Sequence, residues 1–281
     1  MKGIRGLKKP IRVTVYAVNA VLIVFITLIW SALAFITVHK AEVYRYDASD
    51  GFKTIAHRGY SGKFYDNTAQ SFIAASESSF FDGIETDIRK TADGVWVCSH
   101  DDNPFADKKI KITESKYDDI KALPLDVSNA QKGASLAETY VIPLYKDFLS
   151  ICDKSRKHAV IEIKGKYSAE ELAEPVSLAV ETLGRSRVTF GGFDLSNLEH
   201  VLEADPFVNV IAFAGNSLIA YAYTGMGYGV GVNKKILTEK RITRAHDKDT
   251  AIAVYTVTTE EEYRRFVEMG ADYIITNYAF N

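Results

Sequence analysis

Residues 54–102 read TIAHRGYSGKFYDNTAQSFIAASESSFFDGIETDIRKTADGVWVCSHDD. The run at 54–57 is a strand candidate, 69–79 has the apolar spacing of a helix, and 83–91 is a second strand. Thr68 stands where its hydroxyl can accept from an exposed backbone N–H and cap that helix. A strand, a helix and a strand in this order open a parallel α/β fold. The same stretch holds two histidines, His57 and His100, each at the end of a short apolar run, with Glu85 and Asp87 two residues apart between them. On a strand, residues i and i+2 share a face, so the two carboxylates lie side by side. Carboxylates held that close repel, and a cation is the usual remedy. The histidines suit proton transfer near neutral pH, since a free imidazole titrates near about 6.5.

Further along, strand candidates at 95–100, 160–164, 188–193, 208–214, 229–232, 251–256 and 273–276 alternate with helical patterns at 168–183, 195–203, 238–245 and 260–269. The helix at 168 opens with Ser-Ala-Glu-Glu, in the manner of a capping box. Several strands are almost continuously apolar, as where both faces are covered. This alternation predicts a (β/α)8 barrel, a fold of about 250 residues, with an open doubly wound sheet as the other arrangement. Within VIEIK at 160–164, Glu162 and Lys164 point together, away from the flanking isoleucines. The pair reads as a plain ion pair or as part of a site. The polar stretch 102–142 breaks the rhythm after the third strand, with a short helix candidate at 116–123, and Pro143-Leu144 opens another helix. A connection this long usually carries function or a subdomain of its own.

The first forty residues differ from the rest. Residues 1–12 are basic without an acid, and 13–38 run for 26 residues without a charge. At 1.5 Å per residue that is about 39 Å of helix against a hydrocarbon core of roughly 30 Å, so the expectation is one transmembrane helix. The basic flank stays cytoplasmic and the domain after it lies outside the cell membrane. A cleaved signal peptide ending at Ala32-Leu33-Ala34 is the rival, although its apolar core is usually shorter. Residues 39–52 read as a tether and 53–281 as the domain. Beyond residue 40 there are 28 Lys and Arg against 36 Asp and Glu, which argues against a nucleic-acid partner. Two cysteines, Cys98 and Cys152, are too few for a disulfide framework; they read as small buried hydrophobes, with a single bridge as the alternative.

One resemblance gathers these observations. His57-Arg58-Gly59, Asp66-Asn67-Thr68, Glu85 with Asp87, Asp93-Gly94 and His100-Asp101 follow one another as in the opening signature of the glycerophosphodiester phosphodiesterase family. Residues 253–277 resemble its closing segment more loosely. The likeness implies a (β/α)8 barrel with 102–142 inserted over its mouth. It implies that Glu85, Asp87 and Glu162 hold one divalent cation, and oxygen ligands favour Ca²⁺ or Mg²⁺. Lys164 then contacts phosphate and Phe193 walls the glycerol pocket. Arg58, a fixed charge with parallel donors, suits a clamp on phosphodiester oxygens.

The mechanism the likeness suggests uses His57 as base and His100 as acid. Three departures stand out: Asp66 for the family's Glu, Tyr255 for a common Trp that would stack on ligand, and Asn277 for the usual Asp. The activity implied is metal-dependent hydrolysis of glycerophosphodiesters to glycerol 3-phosphate and an alcohol. Rivals are a phospholipase-like enzyme acting on lysophospholipids or glycerol-phosphate polymers, and a membrane-anchored barrel that only binds. The oligomeric state is left open.

Overall fold

The computed structural model describes residues 9–38 and 51–280, so the outermost basic residues and most of the expected tether lie outside the described part. The chain divides into two units, residues 1–41 and 42–281. The first contains α1 (Lys9–Val38), a 30-residue helix. Its described side chains, Tyr16 and those at 18–31, are exposed. Among the described residues no helix is long and apolar enough to cross a membrane, so the transmembrane helix expected at 13–38 finds no support in the structure.

The second unit is a closed parallel barrel with helices around it. Its strands are β1 (Lys53–Ala56), β2 (Gly83–Lys90), β4 (His158–Ile163), β5 (Val188–Gly192), β6 (Asn209–Ala214), β7 (Gly229–Asn233), β8 (Ile252–Val257) and β9 (Tyr273–Thr276). They pair in that order, and β1 closes the ring by pairing with both β2 and β9. The open doubly wound alternative is thereby excluded. Around the ring lie α2 (Ala69–Glu77), α4 (Tyr145–Ser155), α5 (Ala169–Leu183), α6 (Leu195–Ala204), α7 (Ser217–Met226), α8 (Glu239–His246) and α9 (Glu260–Glu268). Thr68 caps α2 by accepting from Ser71 N, and Ser168 and Glu171 form the expected capping box on α5.

Two readings need correction. The third strand, β3 (Trp96–Cys98), is not a barrel strand: it runs antiparallel to the end of β2, pairing Ile88 with Cys98. Its second neighbour is Leu144, past the inserted stretch. That stretch contains one short helix, α3 (Tyr117–Ile120), and its own apolar cluster of Phe105, Ile112, Ile120 and Ile142 against Val97. The second correction is α7, which sequence periodicity does not show. It is uncharged and rich in tyrosine and alanine, so it lacks the polar stripe that reveals an outer helix. Cys98 and Cys152 are both buried and free, as small hydrophobes.

Inside the barrel, β6 directs Phe213 between two glycines. A Cβ at Gly231 would overlap the Phe213 ring, and one at Gly191 would come within 3.0 Å of it. An aromatic ring therefore fits the barrel interior because its two neighbouring strands are bare at that level. Tyr255, at the end of β8, meets the same ring edge-on with 5.3 Å between centroids.

Candidate active site

The end of β1 and the end of β9 together build the first histidine. His57 donates its backbone N–H to Thr276 O at 2.9 Å, extending the ladder by one residue. Its Nδ1 lies 2.7 Å from Asn277 Oδ1. Ser61 Oγ donates to the same oxygen at 3.1 Å, and Asn277 Nδ2 donates to Gln131 Oε1 at 3.0 Å. Those two contacts are consistent with the amide oxygen facing His57. Because an amide oxygen only accepts, His57 carries its proton on Nδ1 and leaves Nε2 with a free lone pair. The ring keeps some open surface, but protein surrounds it; burial first, then Arg58, push its pKa down to about 3.

The chain then turns sharply. Arg58 and Gly59 both adopt left-handed backbone, at φ 56° and 78°. A side chain at Gly59 would overlap Ser71 at the start of α2. The turn aims Arg58 N at Glu85 Oε2, 2.7 Å away, and sets the guanidinium against acids: Nη1 on Asp66 Oδ2 at 2.9 Å and Nε 3.2 Å from Asp87 Oδ2. The shorter carboxylate of Asp66 thus does reach a partner. Asn67, also left-handed at φ 52°, donates from Nδ2 to Asp87 Oδ2 at 2.8 Å and accepts from Thr86 Oγ1 and Asp87 N.

Glu85 and Asp87 share one face of β2, and register places Glu162 of β4 directly beside Asp87. All three are buried, and an oxygen of each lies within 4.8 Å of the others. Burial, then Asp87 and Glu162, raise the Glu85 pKa well above the usual range; burial and Asp87 bring Glu162 up to about 7. Burial would also raise Asp87, but Arg58 and Lys164 outweigh it and hold that group below its usual value. Lys164 Nζ hydrogen-bonds Glu162 Oε1 and sits 3.2 Å from Asp87 Oδ1. That Asp87 oxygen is buried and has no hydrogen-bond partner among the described residues.

His57, Glu85, Glu162, Phe193, Phe213 and Tyr255 line one small cavity of about 30 Å³. His100 stands apart, following β3, with Arg89 donating twice to its carbonyl at 3.0 and 2.7 Å. Its Nδ1 lies 2.7 Å from Asp101 Oδ1. With Arg58, Asp66, Asn67 and Asp101 it lines an adjoining cleft of about 210 Å³. So Arg58 belongs to the cleft, its neighbour His57 to the cavity. A larger open hollow of about 510 Å³ between α8 and α9 contains none of these groups.

A family model described as the glycerophosphoryl diester phosphodiesterase family matches residues 57–279. The chain belongs to this family. It is 28% identical over 237 residues to the uncharacterized protein YqiK of Bacillus subtilis, covering 80% of this chain and 95% of that one. It is 24% identical to a glycerophosphodiester phosphodiesterase of Bacillus altitudinis, over 80% and 94% of the two chains. The fold resembles the crystal structure of a putative glycerophosphoryl diester phosphodiesterase from Silicibacter pomeroyi, with TM-score 0.70 and 21% identity over 86% of this chain and 94% of that one. An Oleispira antarctica phosphodiesterase in complex with the product sn-glycerol-3-phosphate gives TM-score 0.67 and 19% identity, over 82% and 95%.

In this glycerophosphodiester phosphodiesterase family member the acid triad can hold a metal ion. An all-oxygen donor set, with one buried Asp87 oxygen that accepts no hydrogen bond from a described residue and has only the Lys164 ammonium beside it, fits a hard divalent cation. The sequence reading chose the histidines and acids but assigned no role to Asn67, Asn277 or Gln131. Asn67 sits inside a quoted motif and Asn277 was marked by its departure from Asp. Gln131, in a polar loop, carries no sequence signal.

Cation binding is expected to raise the unfolding temperature, by about 2.7 kcal/mol of stability at a hundredfold excess over Kd. The gain should be larger at pH 8 than at pH 6, where a cation must first displace protons from the raised Glu85 and Glu162. No shift with either Ca²⁺ or Mg²⁺ at pH 8 would exclude the triad as a cation site. Asn277→Leu removes the acceptor on His57 Nδ1 and should lower kcat by about 10- to 100-fold. Asn277→Asp keeps an acceptor but adds a charge that favours imidazolium, so the acid limb of the kcat/KM profile should move to higher pH.

Proposed function

We propose that the chain hydrolyses glycerophosphodiesters to glycerol 3-phosphate and an alcohol, with His57 as base, His100 as acid, and Glu85, Asp87 and Glu162 as ligands of one divalent cation, Ca²⁺ or Mg²⁺. Family membership supports the reaction class. The observation that carries the residue roles is the unlike partnering of the two histidines. His57 rests on a neutral amide, is held deprotonated and offers a bare Nε2, as a base must. His100 rests on a carboxylate at the rim of the open cleft, which aligns its ring towards substrate.

His57 Nε2 removes the proton from the glycerol hydroxyl next to the diester. That oxygen attacks phosphorus, and the bond to the alcohol breaks as His100 gives the leaving oxygen a proton. The cyclic phosphate is then opened by water, with the two histidines exchanging roles. Arg58 Nη2, which makes no hydrogen bond to a described residue, and Lys164 would hold phosphoryl oxygens while charge builds on them. The bound cation would supply further positive charge there. Phe193 and Tyr255 would border the glycerol side of the cavity.

An anchored enzyme with its barrel outside the cell membrane has the sequence alone in its favour, the uncharged run at 13–38 behind a basic flank, since no described helix is long and apolar enough to cross. On that reading, alkaline carbonate leaves the full chain in the membrane fraction, and release to the supernatant would count against the anchor.

A panel of glycerophosphodiesters, lysophospholipids and glycerol-phosphate polymers, assayed for glycerol 3-phosphate with and without EDTA, tests the reaction. His57→Ala and Glu85→Ala should abolish turnover of every substrate. His100→Ala should lose about 10²- to 10⁴-fold on alkyl diesters but far less on one with a nitrophenol leaving group, which needs no proton. Equal losses on both would remove His100 from the acid role.

A further inference from the structure

From Pro206 to Asn233 the chain runs 28 residues without Asp, Glu, Lys, Arg or His. β6 and β7 account for its ends, where apolar residues are buried. The middle is α7, which lies on the outside. Every other described helix around the barrel carries charged residues; α7, SLIAYAYTGM, has none. Leu218 is 79% exposed and Tyr221 57%, with Ile219 beside them. An outer helix that shows solvent no charge over its length and leaves Leu218 and Tyr221 uncovered is a surface awaiting an apolar partner.

The flank of this surface is cationic. Arg244 of α8 stacks over the Tyr221 ring, its guanidinium carbon 3.6 Å from the centroid. Arg241 lies three residues earlier on the same face of α8. Neither makes an ion pair with a described carboxylate; Arg241 Nη1 and Arg244 Nε are buried without hydrogen-bond partners among the described residues, so each half-buried guanidinium has only its remaining nitrogens to offer a partner. Two uncompensated guanidinium groups beside an uncharged aliphatic and aromatic helix match a partner that is anionic at its surface and apolar just beneath.

We propose that α7, with Arg241 and Arg244 of α8, docks the barrel on the anionic face of a lipid bilayer. Leu218 and Ile219 enter the acyl boundary, Tyr221 lies at headgroup depth, and the arginines meet lipid phosphates. The position in the fold suits this. α7 follows β6 at the C-terminal end of the barrel, where Phe193, half exposed at the end of the adjacent β5, opens onto the aromatic cavity. Docking there brings the mouth of the site to the lipid interface. The proposal stands independently of the hydrolytic reading.

The test uses the full chain in lipid nanodiscs, with Leu218→Cys labelled by an environment-sensitive fluorophore; Cys98 and Cys152 are buried and leave position 218 as the reactive thiol. Emission should shift to the blue, and shielding from aqueous iodide should rise, as the anionic lipid fraction increases. A label at Glu77→Cys, on α2 across the barrel, should report neither. Arg241→Gln with Arg244→Gln should lower the ratio of docked to undocked chain about 30-fold, and added salt should weaken docking of the unaltered arginines in the same direction. A label at 218 that stays water-exposed on every lipid overturns the proposal. So does a shift that ignores lipid charge, or one that grows with protein concentration in the absence of lipid, as pairing with a second copy would give.

Discussion

Three carboxylates crowded inside the barrel set the terms for everything around them. Glu85, Asp87 and Glu162 repel, and burial makes the repulsion stronger because little solvent remains to screen it. The protein answers with charge and with donors. Arg58 and Lys164 both lean on Asp87, Asn67 gives it an amide hydrogen, and the backbone of Arg58 caps Glu85. The left-handed turn through Arg58 and Gly59 and the left-handed Asn67 follow from that need. Strained backbone is concentrated where donors must be brought to acids that the strands have already placed.

The same crowding leaves the two histidines unequal. One is enclosed between Arg58 and an amide; the other stands at the rim against a carboxylate. The difference arises from partners and enclosure, since the side chains are identical. The exchange of a family carboxylate for Asn277 is tolerable in this light. An amide can still hold the ring, and Ser61 and Gln131 hydrogen-bond that amide in turn.

Much of this could be read before any coordinates. Period-two spacing placed Glu85 with Asp87 and Glu162 with Lys164, because strand geometry is local. Barrel closure was not local: it depends on β1 meeting β9, more than two hundred residues apart. The run at 95–100 had the composition of a barrel strand yet forms a short antiparallel flap, since sequence shows an apolar run but not which edge receives it. α7 escaped notice because a helix without a polar face leaves no periodic trace. Gln131 was invisible for the opposite reason, being a polar residue in a polar loop whose importance lies wholly in what the fold sets beside it.

The closure of the ring also orders events during synthesis. The acid triad is complete once β4 has left the ribosome, but β1 keeps an open edge until β9 arrives. Only then do Thr276 and Asn277 hold His57. A chain ended before β9 would have its three acids but nothing to hold the His57 ring.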